Sequence, residues 1–158
     1  MRSLADCTVV YGDLLDQPVD AIVNPWNSNV IPWFLLLPQG VSGAIRKRAG
    51  AEAFHPLTTA GYLKPGTAIH APAGRLPFKG IIHVAALTPL WTTSETIIQT
   101  CVKNAIQMAL AKGFTSLALP LLGSGVGGQN PDAVAQLIRK TACELDAPIA
   151  ICIVIHQR

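Results

Sequence analysis

Residues 116–122, Ser-Leu-Ala-Leu-Pro-Leu-Leu, form an apolar run without alternation, and four glycines fall within the next six residues. A strand that is apolar on both faces must be covered on both faces, so it belongs inside a sheet flanked by helical layers. The residues that follow agree with this. Asn130-Pro131 reads as a helix start, with asparagine as cap and proline in the first turn. Val134, Leu137, Ile138 and Thr141 then line one side of a helix running to about Glu144. Strand, glycine loop and helix in that order predict an α/β architecture.

The rest of the chain supplies further elements of the same kind. Thr8-Val9-Val10-Tyr11 is a β-branched run closed by Gly12-Asp13, and Ala21-Ile22-Val23 is a second, closed by Asn24-Pro25. Extended runs are also expected over Thr67 to Ala71 and Gly80 to Ala86, and a last strand over Ile149 to Ile155. Thr92-Thr93-Ser94-Glu95 reads as a capping box opening a helix whose apolar face is Ile98, Cys101, Val102, Ala105 and Ala109. Lys112-Gly113 stops it. No repeat and no linker divides the chain, so residues 1–158 are read as one domain.

Composition excludes several classes of protein. With 50% hydrophobic and 13% charged residues, the chain is too apolar for disorder. Its longest apolar stretch, around Ile31 to Pro38, falls well short of the ~20 residues of a membrane-spanning helix. The first six residues lack an apolar signal core, which predicts a cytoplasmic protein. The net charge is +3, and basic residues are dispersed apart from Arg46-Lys47-Arg48, read as the solvated side of a short helix. That pattern argues against a nucleic-acid partner. The four cysteines lack zinc-type spacing and sit in apolar surroundings, so they read as reduced core thiols, with no metal and no cofactor expected.

The segment Gly123-Ser124-Gly125-Val126-Gly127-Gly128 carries the most chemistry. Glycines let backbone amides approach a ligand closely, and the helix behind them offers the positive end of its dipole. A phosphate is the natural occupant. The G-x-G-x-x-G spacing is present, but the loop follows a late strand, and the next strand ends without the acidic residue that holds a ribose in dinucleotide folds. No Lys-Ser/Thr pair follows the glycines, which excludes a Walker A loop.

Several segments together resemble the macrodomain family. Tyr11-Gly12-Asp13-Leu14-Leu15 is similar to its first motif, and Asp20-Ala21-Ile22-Val23-Asn24-Pro25-Trp26-Asn27 to D-A-I-V-N-A-A-N. Gly40-Val41-Ser42-Gly43-Ala44-Ile45 resembles G-V-D-G-A-I, and Gly66 to Leu87 follows the family's strand–loop–strand. Leu122 to Gly128 corresponds to its second phosphate loop. The resemblance implies a three-layer α/β/α fold with a central mixed sheet, binding ADP-ribose or ADP-ribosylated protein as a monomer. By the same resemblance Asp13 holds the adenine amino group, and Asn27 and Ser42 carry the catalytic end. The ligand-binding set it implies is Asp13, Leu14, Ala21, Ile22, Asn24, Asn27, Gly40, Val41, Ser42, Gly123, Ser124, Gly125, Val126 and Gly127.

The chemistry of these residues is compatible with that reading. A carboxylate accepts from an exocyclic amine, and an asparagine both donates to and accepts from a ribose hydroxyl. Asp13 has a competing role as a turn aspartate, and Asn24-Pro25 is equally a turn signal. His83 reads as a hydrogen-bonded structural histidine. Trp26, Trp33 and Phe34 either wall the distal ribose or pack the loop. Two departures bear on catalysis. Ser42 stands where a hydrolase class of the family carries aspartate, and Gly127 where others carry an aromatic residue or a catalytic aspartate. A lone serine is too weak a base at neutral pH, so hydrolysis here implies a water held against the substrate's own phosphate. The readings carried forward are a hydrolase acting on ADP-ribosylated side chains or O-acetyl-ADP-ribose, a non-catalytic ADP-ribose reader, and an ADP-ribose 1″-phosphate phosphatase.

Overall fold

The computed structural model describes residues 6–26, 40–88, 92–122 and 130–156. Among the described residues six strands form one sheet: β1 (Asp6–Gly12), β2 (Ala21–Trp26), β3 (Ala68–Ala71), β4 (Gly80–Ala85), β5 (Ser116–Pro120) and β6 (Ala150–His156). Their order is β1-β6-β5-β2-β4-β3. The first five run parallel, and only β3 at the edge is antiparallel to its neighbour β4. The sheet is therefore mixed, as expected.

Helices cover both faces. On one side α3 (Glu95–Ala111) and α4 (Pro131–Leu145) bury Ile98, Val102, Ile106, Val134 and Ile138 against Val23, Ile82, Val84, Leu117, Leu119, Ile151 and Ile153. On the other, α1 (Gly40–Ala49), a 3-10 turn over Ala51–Phe54 and α2 (His55–Ala60) bury Ile45, Phe54 and Leu57 against Ile22, Trp26, Ile81, Ala85 and Ala118. Neighbouring residues of β4 and β5 thus serve opposite layers, which is why, His83 and Ser116 apart, these strands are apolar. Each fully buried isoleucine or leucine contributes about 1.5–3 kcal/mol relative to exposure.

Local chemistry explains most element boundaries. Asn130 Oδ1 accepts from Ala133 N at 3.1 Å, with Pro131 in the first turn of α4. Ser94 Oγ accepts from Ile97 N at 3.2 Å and caps α3. The cap lies two residues later than in the expected box starting at Thr92. Thr92 instead bonds Thr88, 2.8 Å between hydroxyls. Lys112 and Gly113, the latter at φ +79°, end α3 as the sequence predicts.

Two expectations change, and one helical segment comes unannounced. Strand β2 runs through Asn24-Pro25 to Trp26 rather than closing at Val23. β5 is registered with it only at Ala21 and Ile22, so a residue lacking an N–H costs no ladder bond on that side further along. Residues 51–60 are helical without a sequence signal, held by burial of Phe54 and Leu57. Cys143 is exposed and Cys152 half-buried, so only Cys7 and Cys101 are core thiols. The basic run behaves as predicted at Lys47 and Arg48, which are exposed on the last turn of α1.

The entry ends of β2 and β5 are latched together by Asp20. Its Oδ2 accepts from Thr115 N at 2.8 Å and Thr115 Oγ1 at 3.1 Å, and its Oδ1 lies 3.5 Å from Lys79 Nζ. The bond from the Thr115 amide, offset in part by burial and helped by the Thr115 hydroxyl and Lys79, holds this carboxyl below its ordinary 3.8. The stabilisation is present above 3.8 and is lost as pH falls through the lower folded value. Asp20→Asn should therefore cost about 1 kcal/mol at neutral pH, discounted for partial exposure. Denaturant titrations on the acid side of 3.8 should show the wild type losing this advantage over the variant. Parallel curves at all pH values would remove Asp20 from the account.

Candidate functional site

In an open parallel sheet, ligands bind outside the carboxyl ends of the strands. Here that edge is defined by Gly12 and His156, in register on β1 and β6, by Pro120 of β5, and by Trp26 and Ala85, in register on β2 and β4. Asp13 follows β1 directly. Ser42 lies in the first turn of α1 and touches the end of β2.

Asp13 has extended backbone, φ −109° and ψ 129°, and its Oδ1 accepts from Leu15 N at 2.9 Å. It thereby caps the 3-10 turn Leu14–Asp16, and Gln17 Nε2 donates to its carbonyl at 2.9 Å. The turn role and a ligand role are compatible, since a carboxylate can accept several hydrogen bonds. Leu14 is buried in the second apolar layer.

The opening of α1 suits an anion. The first amides of a helix have no intrahelical partner, and this first turn contains no acidic residue. The helix starts at Gly40; Val41 is half-buried, and Ser42 is buried. Ser42 Oγ donates to Asn24 Oδ1 at 2.7 Å, with Pro25 O at 3.1 Å as a second acceptor. Asn24 Nδ2 lies 2.9 Å from His83 Nδ1, and His83 Nε2 lies 2.7 Å from Ala53 O. Asn24 and His83 are cross-strand partners in β2 and β4, both wholly inaccessible at 0% exposure. Phe54 lies against the His83 ring at 5.2 Å and against Trp26 at 5.6 Å. Burial pushes His83 down to about 4, opposed by its bond to Ala53 O, so the ring is neutral at physiological pH.

Not every expected residue reaches this edge. Ala21 and Ile22 lie at the entry end of β2 and are fully buried, five and four positions before Trp26. At ~3.3 Å per residue they are about 13–17 Å away along the strand. Asn24 has both ends of its amide occupied inside the protein. Trp26 packs inward on Phe54 instead of forming an open wall. Asn27, Trp33, Phe34 and the loop residues Gly123, Ser124, Gly125, Val126 and Gly127 lie outside the described residues.

The profile of the Macro domain family matches residues 23–138, most of the chain. The chain is also 35% identical over 144 residues to the O-acetyl-ADP-ribose deacetylase of Citrobacter rodentium (strain ICC168), covering 86% of this chain and 77% of that one. The chain belongs to the macrodomain family. Among solved structures, this macrodomain is similar to that of Oceanobacillus iheyensis, with a TM-score of 0.76 and 26% identity over 94% of this chain and 82% of the other. It is similar also to a glycine-to-valine variant of that protein solved with ADPR, at TM-score 0.74 and 26% identity over 94% and 84%.

Two structural features of the macrodomain were not read from sequence as parts of a site. One is the pairing of Asn24 with His83. A polar residue stands at the middle of each apolar inward row, Ile22-Asn24-Trp26 and Ile81-His83-Ala85, and that shared anomaly was the available signal. The other is an open depression of about 610 Å³ beside the entry ends of β2 and β4, lined by Asp16, Asp20, Arg48 and Phe78 among others. Its arginine lies 3.8 Å from Asp16, and its two carboxylates make it a poor seat for a diphosphate. Among the described residues no group of three or more His, Cys, Asp or Glu is placed to hold a metal, and no helix is long and apolar enough to cross a membrane.

Proposed function

We propose that this macrodomain binds ADP-ribose across the carboxyl edge of its sheet and hydrolyses the bond joining it to a modified side chain, or the ester of O-acetyl-ADP-ribose. The observation that carries the binding reading is the convergence at one edge of Asp13, the acid-free first turn of α1 and the exit of β5 into the glycine segment. Asp13 takes the adenine amino group with the carboxylate capacity left beyond Leu15 N. The α1 amides and the glycine-segment amides take the diphosphate. Asn27 and Ser42 serve the distal ribose. The 35% identity to an O-acetyl-ADP-ribose deacetylase supports the hydrolytic part.

Ser42 donates its proton to an amide oxygen and among the described residues has no base beside it, so it does not act as an activated nucleophile. In this reading its lone pairs help orient a water, the substrate's phosphate takes the water's proton, and placement supplies much of the rate. The same observation gives a second reading some support: a reader that binds ADP-ribose without turnover. Single-turnover release of ADP-ribose from a protein modified on acidic side chains, run beside deacetylation of O-acetyl-ADP-ribose, separates them. Product in either assay supports the hydrolase, and tight binding with neither product leaves the reader.

Asp13→Ala should weaken ADP-ribose binding by about 1.5–3 kcal/mol, the range for a hydrogen bond to a charged group. It should also cost about 1 kcal/mol of stability through the lost cap. Calorimetry and thermal melting read the two separately. A stability loss with unchanged affinity would reduce Asp13 to a turn residue.

A further inference from the structure

A backbone carbonyl can only accept, so the contact between His83 Nε2 and Ala53 O, 2.7 Å, requires the proton on Nε2. In the neutral ring Nδ1 is then bare and must accept, and its partner 2.9 Å away has to be the NH2 of Asn24. The amide oxygen of Asn24 is thereby turned toward Ser42, whose hydroxyl must donate across 2.7 Å. The second neighbour of Ser42, Pro25 O at 3.1 Å, is likewise an acceptor. One carbonyl at the buried end thus dictates every proton as far as the candidate site. The chain ties four elements: the 3-10 turn at Ala53, β4, β2 and the first turn of α1. A run of polar groups inside an apolar layer is costly unless its members are paired, and here each polar side-chain atom has a partner.

We propose that His83 and Asn24 are positioning residues that lock Ser42 as a hydrogen-bond acceptor toward the site, selecting a hydroxyl or a water there as its donor. Bonds aligned in one direction polarise one another, so Oγ becomes a better acceptor than an isolated serine. The hydroxyl cannot turn to donate to a ligand without abandoning both of its acceptors. The inference rests on the ADP-ribose reading for the identity of the ligand, while the proton order rests on the four side-chain and backbone contacts alone.

Two measurements test it. The first is nitrogen NMR of histidine-labelled, ligand-free protein, which reads the tautomer directly. His83 should show a protonated Nε2 and a bare Nδ1 from pH 6 to 8, and a protonated Nδ1 would overturn the proton order whatever the ligand. The second is a cycle of His83→Gln, Ser42→Ala and the double variant, each checked for folding by melting, with ADP-ribose affinity read by calorimetry. Glutamine keeps a donor for Ala53 O but removes the acceptor facing Asn24. Each single variant should lose about five- to tenfold in affinity, the reach of one neutral hydrogen bond. The double variant should be no worse than Ser42→Ala, because His83 acts through Ser42. Independent, multiplying losses would refute the positioning role. If the wild type binds no ADP-ribose, the proposed function fails, and the tautomer still decides the order of the chain.

Discussion

Asn24→Leu should lower stability by about 3 kcal/mol, a drop in melting temperature of about 6–12 °C for a domain of this size. Leucine keeps the branching and heavy-atom count of asparagine and is bulkier, so none of this comes from a cavity. The cost is an orphaned acceptor. His83 Nδ1 loses its donor at a position with 0% exposure, where no solvent reaches it. Ser42 loses its shorter acceptor and keeps Pro25 O. A buried group left unsatisfied costs about 1–3 kcal/mol, and the lost serine bond adds roughly 1. Thermal melting at neutral pH measures it. A loss under about 1 kcal/mol would mean that the pair is not the satisfied buried unit described here.

Gly125→Val should abolish detectable ADP-ribose binding, a loss of more than about 100-fold, while the protein still folds. Residues 123–129 lie outside the described residues, and their sequence alone carries the expectation. The segment joins β5, which ends at Pro120, to α4, whose first residue is Pro131. A β-branched side chain there would fill the space that backbone amides need to approach a diphosphate. Ser124→Ala should be milder, since alanine retains the amide. If the serine variant were the more damaging of the two, the hydroxyl would be the main contact.

What could be read in the sequence depended on how local the physics was. The β5–glycine–α4 unit was legible because each part carries its own signal: an apolar strand, a glycine cluster, and an asparagine cap followed by proline. Asp13 was legible as a turn aspartate for the same reason, since its carboxylate caps the turn that follows it directly. The run through Asn24-Pro25 was misread as a turn, because whether a proline fits a strand depends on which neighbour pairs there. Residues 51–60 gave no signal at all, as Phe54 and Leu57 hold them by packing against distant strands. Asn24 and His83 lie 59 residues apart, and only the β2–β4 register makes them one unit. Ala21 and Ile22 joined the expected ligand set through motif resemblance, and the direction of β2 keeps them from the carboxyl edge.

The central claim is that the carboxyl edge of the sheet is an ADP-ribose site. Titration of the protein with ADP-ribose and with AMP, by calorimetry and by melting, tests it most directly. ADP-ribose should give saturable heat and about 2.7 kcal/mol of added stability at ~100 times its dissociation constant, and AMP should bind far more weakly. No heat and no melting shift at millimolar ADP-ribose would contradict it.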